Sequence, residues 1–179
     1  MQDITVHNNP CVSGGAFWHS TDDFTILWKD CIRSDWFLWI LENGKYPDDR
    51  KLRKFACECV RYTPFGDKAA WDTLTVRETK NVVIYTEQYL DGTCSKDDLK
   101  NGELVAWAVP VSKNKIELVV PIVANLDTKA IDVAKYVSWE MALLSKDLRR
   151  GLKYQADLLR DIIGFEAMAK CGKYIKDKE

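Results

Sequence analysis

The apolar residues Leu52, Phe55, Ala56, Cys59 and Val60 recur at offsets of 0, +3, +4, +7 and +8. That spacing is one buried stripe of an α-helix. Pro47-Asp48-Asp49 opens this helix, which the pattern predicts over about 48–62. Arg50, Lys51, Arg53 and Lys54 then fall largely on its outward face. Just upstream, Trp36, Trp39 and Ile40 sit at i, i+3 and i+4, and Phe37 and Leu38 widen the apolar face. A face that wide implies burial on most sides. Ser34 reads as its N-cap, Asp35 lies in its first turn, and Gly44 after Asn43 reads as its stop. The stretch from Trp28 to Arg61 is therefore a tightly packed helical hairpin.

The same reading extends along the chain. Residues 1–12 form a polar lead-in; a short helix is expected after Ser13, and another from Thr21, as N-cap, to about Lys29. Thr63-Pro64-Phe65-Gly66-Asp67 breaks the chain, and a turn at Trp71–Leu74 leads into a helix over about 75–90. Val83, Thr86 and Leu90 mark the inner side of that helix, with Gly92 beyond its end. Ser95 with Asp98 is a capping box with Asp in place of Glu, and starts a helix to about Ala108. The run IELVVPIV is β-branched, but Pro121 argues against a central strand. A loop or short helical turn packed on the core is the expectation there, with a short β or irregular segment near 115–124 as the alternative. Asp127 is placed as the cap of a final helical region through Ala134, Val137, Met141, Leu144, Leu148, Leu152, Leu159 and Ile163, divided at Gly151. The charged end GKYIKDKE is expected to fray. The fold class that results is all-α: one multi-helix bundle over 13–164, between the lead-in 1–12 and a charged tail 165–179.

Composition narrows the function classes. Lys and Arg total 26 against 27 Asp and Glu, a net charge of −1. A duplex-DNA binder draws affinity from phosphate neutralisation and carries a basic excess, so duplex DNA is not an expected partner. No apolar run approaches the roughly 18–20 residues of a membrane span. The first residues, MQDITVHNNPCVSGGAF, lack the basic start and apolar core of a secretory signal. Six cysteines are even in number, but a chain of 179 residues can bury a core without disulfide staples. A reduced, cytoplasmic protein is expected.

Candidate chemistry is sparse. Cys57 and Cys59 point about 200° apart on a helix and cannot hold one ion; Cys59 belongs to the apolar stripe. Cys31 and Cys94 sit at helix boundaries, where a thiol can be activated. The two histidines, His7 and His19, have no ligand spacing, and no closely spaced zinc-type set occurs. Ser13-Gly14-Gly15 lacks the lysine of a phosphate loop. Asp22-Asp23, Asp48-Asp49 and Asp97-Asp98 lie near helix starts, where the helix dipole accounts for them. No catalytic residue, cofactor or metal is expected. The one excess is seven tryptophans, most of them expected in the core. Trp18 and Trp71, with Tyr62 and Phe65, lie near helix ends and loops and form the candidate interaction surface. Arg33, Arg50 and Arg61 are the candidate rim of a ligand pocket between helices.

Trp28, Cys31, Arg33, Asp35, Trp36, Leu38, Trp39, Ile40 and Leu41 form the pattern W-x-x-C-x-R-x-D-W-x-L-W-[IL]-L. This pattern resembles a helical domain family found in phages and bacteria, often labelled as immunity proteins. RKLRKFACECVR, VRETKNVVIYTEQYLDGTCSKDDL and QADLLRDIIG continue the resemblance, which covers about 24–105 and 152–164. The chain departs from the family at PVSKNKIELVVPIVANLD, where alanine-rich helices are usual. The resemblance implies an all-α fold and a mobile-element setting, and carries no catalytic residue. The expected function is a non-enzymatic accessory protein that binds and modulates a protein partner, in the manner of immunity or counter-defence proteins. A homo-oligomer belongs to the same reading. The alternatives are a protein that binds or sequesters a nucleotide-like small molecule, and an enzyme using Cys31 or Cys94.

Overall fold

The computed structural model describes residues 24–109 and 114–178. Among them, ten α-helices and one two-stranded hairpin follow in order. They are α1 (Phe24–Asp30), α2 (Ser34–Asn43), α3 (Asp49–Tyr62), β1 (Pro64–Phe65), β2 (Lys68–Ala69) and α4 (Ala70–Thr73). Then come α5 (Arg77–Leu90), α6 (Lys96–Ala108), α7 (Ile116–Val119), a 3₁₀ turn (Val120–Ala124), α8 (Ala130–Leu144), α9 (Leu148–Ile163) and α10 (Phe165–Lys176). The fold is mainly α, as the periodicity predicts. The hairpin is antiparallel, pairing Pro64 with Ala69 and Phe65 with Lys68. The helix expected after Ser13 lies outside the described residues; of the helix expected from Thr21 to about Lys29, the described part is α1, and its Thr21 cap lies outside them.

Helix α3 is the hub, packed on α8, α9 and α5. Asp48 caps it by accepting from the Lys51 backbone N–H at 3.0 Å. Its burial exceeds the predicted stripe: Cys57 is buried as fully as Cys59, and Arg53 is only 7% exposed. The outward placement of Arg53 is therefore corrected. Its guanidinium donates to the Asn125 carbonyl and to the Thr128 carbonyl, each at 2.7 Å, which ties the hub to the segment before α8.

Ser34 is also corrected. Arg33 occupies the N-cap position, with no side-chain cap, and Ser34 is the first residue of α2. Its hydroxyl points inward and donates to Gln155 Oε1 at 3.1 Å. Ser138 donates to the same oxygen at 2.7 Å, while Gln155 Nε2 donates to Thr63 Oγ1 at 3.1 Å and to the Ser138 carbonyl at 3.0 Å. All four residues are buried. Both amide hydrogens of Gln155 and its carbonyl oxygen are thus satisfied, the condition for burying an amide without penalty.

The segment after residue 113 turns helical rather than forming a strand, with Pro121 accommodated at the start of the 3₁₀ turn. Buried Glu117 of α7 caps a different helix: its Oε1 accepts from the backbone N–H groups of Thr75 and Val76 at 2.7 and 3.0 Å, at the entrance to α5. The Thr75 hydroxyl adds a bond of 2.9 Å. The last region divides at Ser145–Asp147, where Lys146 has φ 67° and Asp147 caps α9 through the Arg150 N–H at 3.0 Å. Gly151 does not divide it; it lies inside α9, where a Cβ would sit 3.0 Å from Ala142 Cα. Asp127 is not the cap of α8; Lys129 holds that position without a side-chain bond.

The expected fraying of the charged end is overturned as well. Residues Phe165–Lys176 form α10, which buries Met168, Cys171, Gly172 and Ile175 against α2 and α1. Arg160 locks the other side of α1 by donating to the Trp28 carbonyl at 2.7 Å and to the Cys31 carbonyl. A cation at a helix C-terminus satisfies carbonyls the helix leaves open.

Candidate functional site

The four residues of the candidate interaction surface do not form a free aromatic face. Trp18 lies outside the described residues. Trp71, in α4, is half-buried and covered: the Arg61 guanidinium stacks 3.8 Å from its ring centre and the Lys80 ammonium lies 5.3 Å away. Phe65 is half-buried on the core beside it. Tyr62 is exposed; burial, with Tyr62 and Glu58 nearby, raises the Tyr154 phenol above its usual range.

The three arginines occupy three different places. Arg33 grips Asp35 at 2.7 and 2.6 Å, at the start of α2. Arg61, at the end of α3, grips Glu87 of α5 at 2.7 and 2.5 Å, and that hydrogen bonding raises its pKa. Arg50, eleven residues earlier on α3, is about 16 Å along the helix axis from Arg61. It faces Asp91 at 3.5 Å, with both side chains largely exposed.

Arg50 does line a cleft. The starts of α3 and α6 and the end of α5 enclose about 550 Å³ between Arg50, Arg53, Lys96, Tyr89, Leu90 and Leu126. Arg53 and Lys96 make no ion pair among the described residues, and burial lowers the Arg53 pKa, partly offset by Asp49. Lys96 and Tyr89 had no reason to be linked in sequence to Arg53; only the α5–α6 turn brings them to α3. A second cleft, of about 480 Å³, lies between α5 and α6 and is lined by Asn81, Tyr85, Gln88, Asn101 and Gly102. A side chain at Gly102 would meet the Tyr85 ring at 2.6 Å, so that ring lies across the α6 backbone. Cys94 borders both clefts.

The outer face of α6 is the feature the sequence reading missed. Of its thirteen residues only Leu99 and Ala106 are buried. Leu104 is 60%, Val105 54% and Trp107 49% exposed. Leu104, Trp107 and Ala108 stand at i, i+3 and i+4, one continuous apolar strip on the solvent side. The signal was present in the run LVAWAV, which is apolar around more of the helix than one packed face can bury.

The thiols are shifted against nucleophilic use. Burial raises Cys31 to about 11, and burial with Asp98 raises Cys94 above its ordinary value. Cys57, Cys59 and Cys171 are raised too, chiefly by burial. Among the described residues no three His, Cys, Asp or Glu side chains gather as a metal ion would require. None of the described helices is long and apolar enough to cross a membrane. No family model matches the chain, and no curated protein or solved structure matches it either.

Proposed function

We propose that this chain is a cytoplasmic, non-enzymatic accessory protein of phage or mobile-element type that binds and modulates a protein partner. The observation that carries the reading is the solvent-facing apolar strip Leu104–Trp107–Ala108 with Val105 beside it. Exposed Trp and Leu at helical spacing are what an apolar helix or groove of a protein partner packs against, and Trp is enriched at binding hot spots. Modulation is steric: a rigid helix laid on the partner's working face excludes its substrate. The raised thiols favour the non-enzymatic side of the reading. The motif at Trp28–Leu41 favours the immunity or counter-defence setting.

The test is tagged purification from the native host, with cross-linking of whatever co-purifies, beside the L104D/W107A pair. Both positions are exposed, so the variant should keep its helicity and melting temperature. The expected result is a stoichiometric protein cross-linked at α6 and lost from the variant. Cross-links lying elsewhere, or capture unchanged by the variant, would remove α6 from the function. Self-association through α6, seen as a dimer of the pure chain that the variant dissolves, would make the partner a second copy.

A second reading, the binding of a small ligand between helices, is favoured by the cationic cleft at Arg50, Arg53 and Lys96.

A further inference from the structure

We infer that the cleft between α3, α5 and α6 is a binding site for a small phosphate ester. Arg50, Arg53 and Lys96 receive the phosphate, and Tyr89 and Leu126 receive the organic part. The inference rests on the small-ligand reading and is independent of the partner face on α6.

Arg53 is the anchor. A guanidinium carries five N–H bonds, and among the described residues this one donates two, to the Asn125 and Thr128 carbonyls. Those carbonyls hold the group in place without neutralising it, so the buried charge keeps its attraction for an anion. A guanidinium already immobilised loses little conformational entropy when it binds. Arg50 and Lys96 stand at the mouth, each exposed and on a different helix. The Arg50–Asp91 contact is 3.5 Å between exposed side chains, a pair that solvent screens and a phosphate can replace.

The charge balance is consistent with a modest anion site. Three cations face Asp49 on the wall and Asp91 on Arg50, leaving one net positive charge. Cations approaching from separate elements suit the dispersed oxygens of a phosphate better than the planar pair of a carboxylate. A volume of about 550 Å³ exceeds what a bare phosphate fills and lies in the range of small-molecule sites. The surplus is walled by Tyr89, Leu90 and Leu126, which offer a ring and aliphatic surface to an organic group.

Cys94 on the rim supplies the readout. In the full chain carrying Cys11→Ser, the modification of Cys94 by a disulfide reagent is followed with pyrophosphate, ADP or adenosine present. Pyrophosphate should slow the reaction and raise the melting temperature, and ADP should do so at lower concentration. The exposed double variant R50A/K96A should fold normally and bind both anions about tenfold or more weakly. Absence of shielding by either anion, or equal binding by the double variant, would overturn the site. Adenosine binding as tightly as ADP would overturn the role of the cations. ADP binding no tighter than pyrophosphate would overturn the place assigned to the organic part. Partner capture through α6 should survive R50A/K96A, so failure of this site and failure of the partner reading give different results.

Discussion

Gly44 lies so close to Cys171 that a Cβ on the glycine would sit 2.3 Å from the Cys171 Cβ and 2.6 Å from its Cα. The contact joins the end of α2 to the middle of α10. Gly44 has φ −77°, so its role is close approach and not the left-handed turn a helix stop usually needs. The positive φ falls one residue later, on Lys45.

Gly44→Ala should therefore push α10 off α2. Overpacking of this kind costs about 1–3 kcal/mol, and here the obstacle includes backbone, which cannot rotate aside. Urea unfolding should show a lower midpoint, and Cys171 should react faster with thiol reagents in the native state. A midpoint unchanged from the parent protein would mean that α10 docks loosely enough to absorb the methyl group.

Ser34→Asp separates the two roles open to a serine at a helix start. At an N-cap, Asp is as good as Ser. In the buried network with Ser138 and Gln155, a carboxylate would face the Gln155 carbonyl oxygen and be cut off from water. A loss of about 3 kcal/mol or more in unfolding free energy is expected. Ser34→Ala should cost about 1 kcal/mol, because the remaining hydroxyl and amide groups keep partners. An Asp variant as stable as the parent would return Ser34 to the cap.

These two positions mark where the sequence was readable and where it was not. The stripe of α3 and the capping box of α6 were legible because each is specified within a few residues. Ser95 and Asp98 need nothing beyond their own turn, and the Asp98 N–H does meet the Ser95 hydroxyl at 3.1 Å. Ser34 and Gly44 carry residue types that suit a local role and a distant one equally. Their actual partners, Gln155 and Cys171, lie more than a hundred residues along the chain. Arg53 looked solvated for the same reason, since its acceptors sit 72 and 75 residues away. Helix α10 was missed because five charged residues between Lys170 and Lys178 masked the inward set Met168, Cys171 and Ile175. The clefts and the α6 strip depend on which helices end up as neighbours, which periodicity alone does not contain.

Glu117 offers a third test. One carboxyl oxygen takes the Thr75 and Val76 N–H groups that α5 leaves without helical partners, and so meets the positive end of a 14-residue helix. Glu117→Gln retains an acceptor and removes the charge, and should cost about 1–2 kcal/mol. Hydrogen exchange should quicken first in the opening turn of α5. Uniform acceleration across α3 and α8 would instead show that Glu117 supports the whole core and has no special hold on α5.

Alkali supplies the last prediction. Cys31 is raised from 9.0 to about 11 and Tyr46 from 10.0 to about 12, in both cases chiefly by burial. Burial also raises Cys57, Cys59 and Cys171. Each of these groups holds its proton more tightly folded than unfolded. The stabilisation is complete below the unfolded values and declines once pH passes about 9, because the unfolded chain then binds fewer protons. The melting temperature should be flat from neutrality to about pH 8.5 and fall steadily between pH 9 and 11. Under the same rule, iodoacetamide at neutral pH should leave Cys31, Cys57 and Cys59 unmodified until the chain unfolds, and should modify Cys94 only slowly. A Cys31 or Cys94 that reacted quickly at pH 7 would carry a depressed pKa, and would restore the thiol-enzyme alternative.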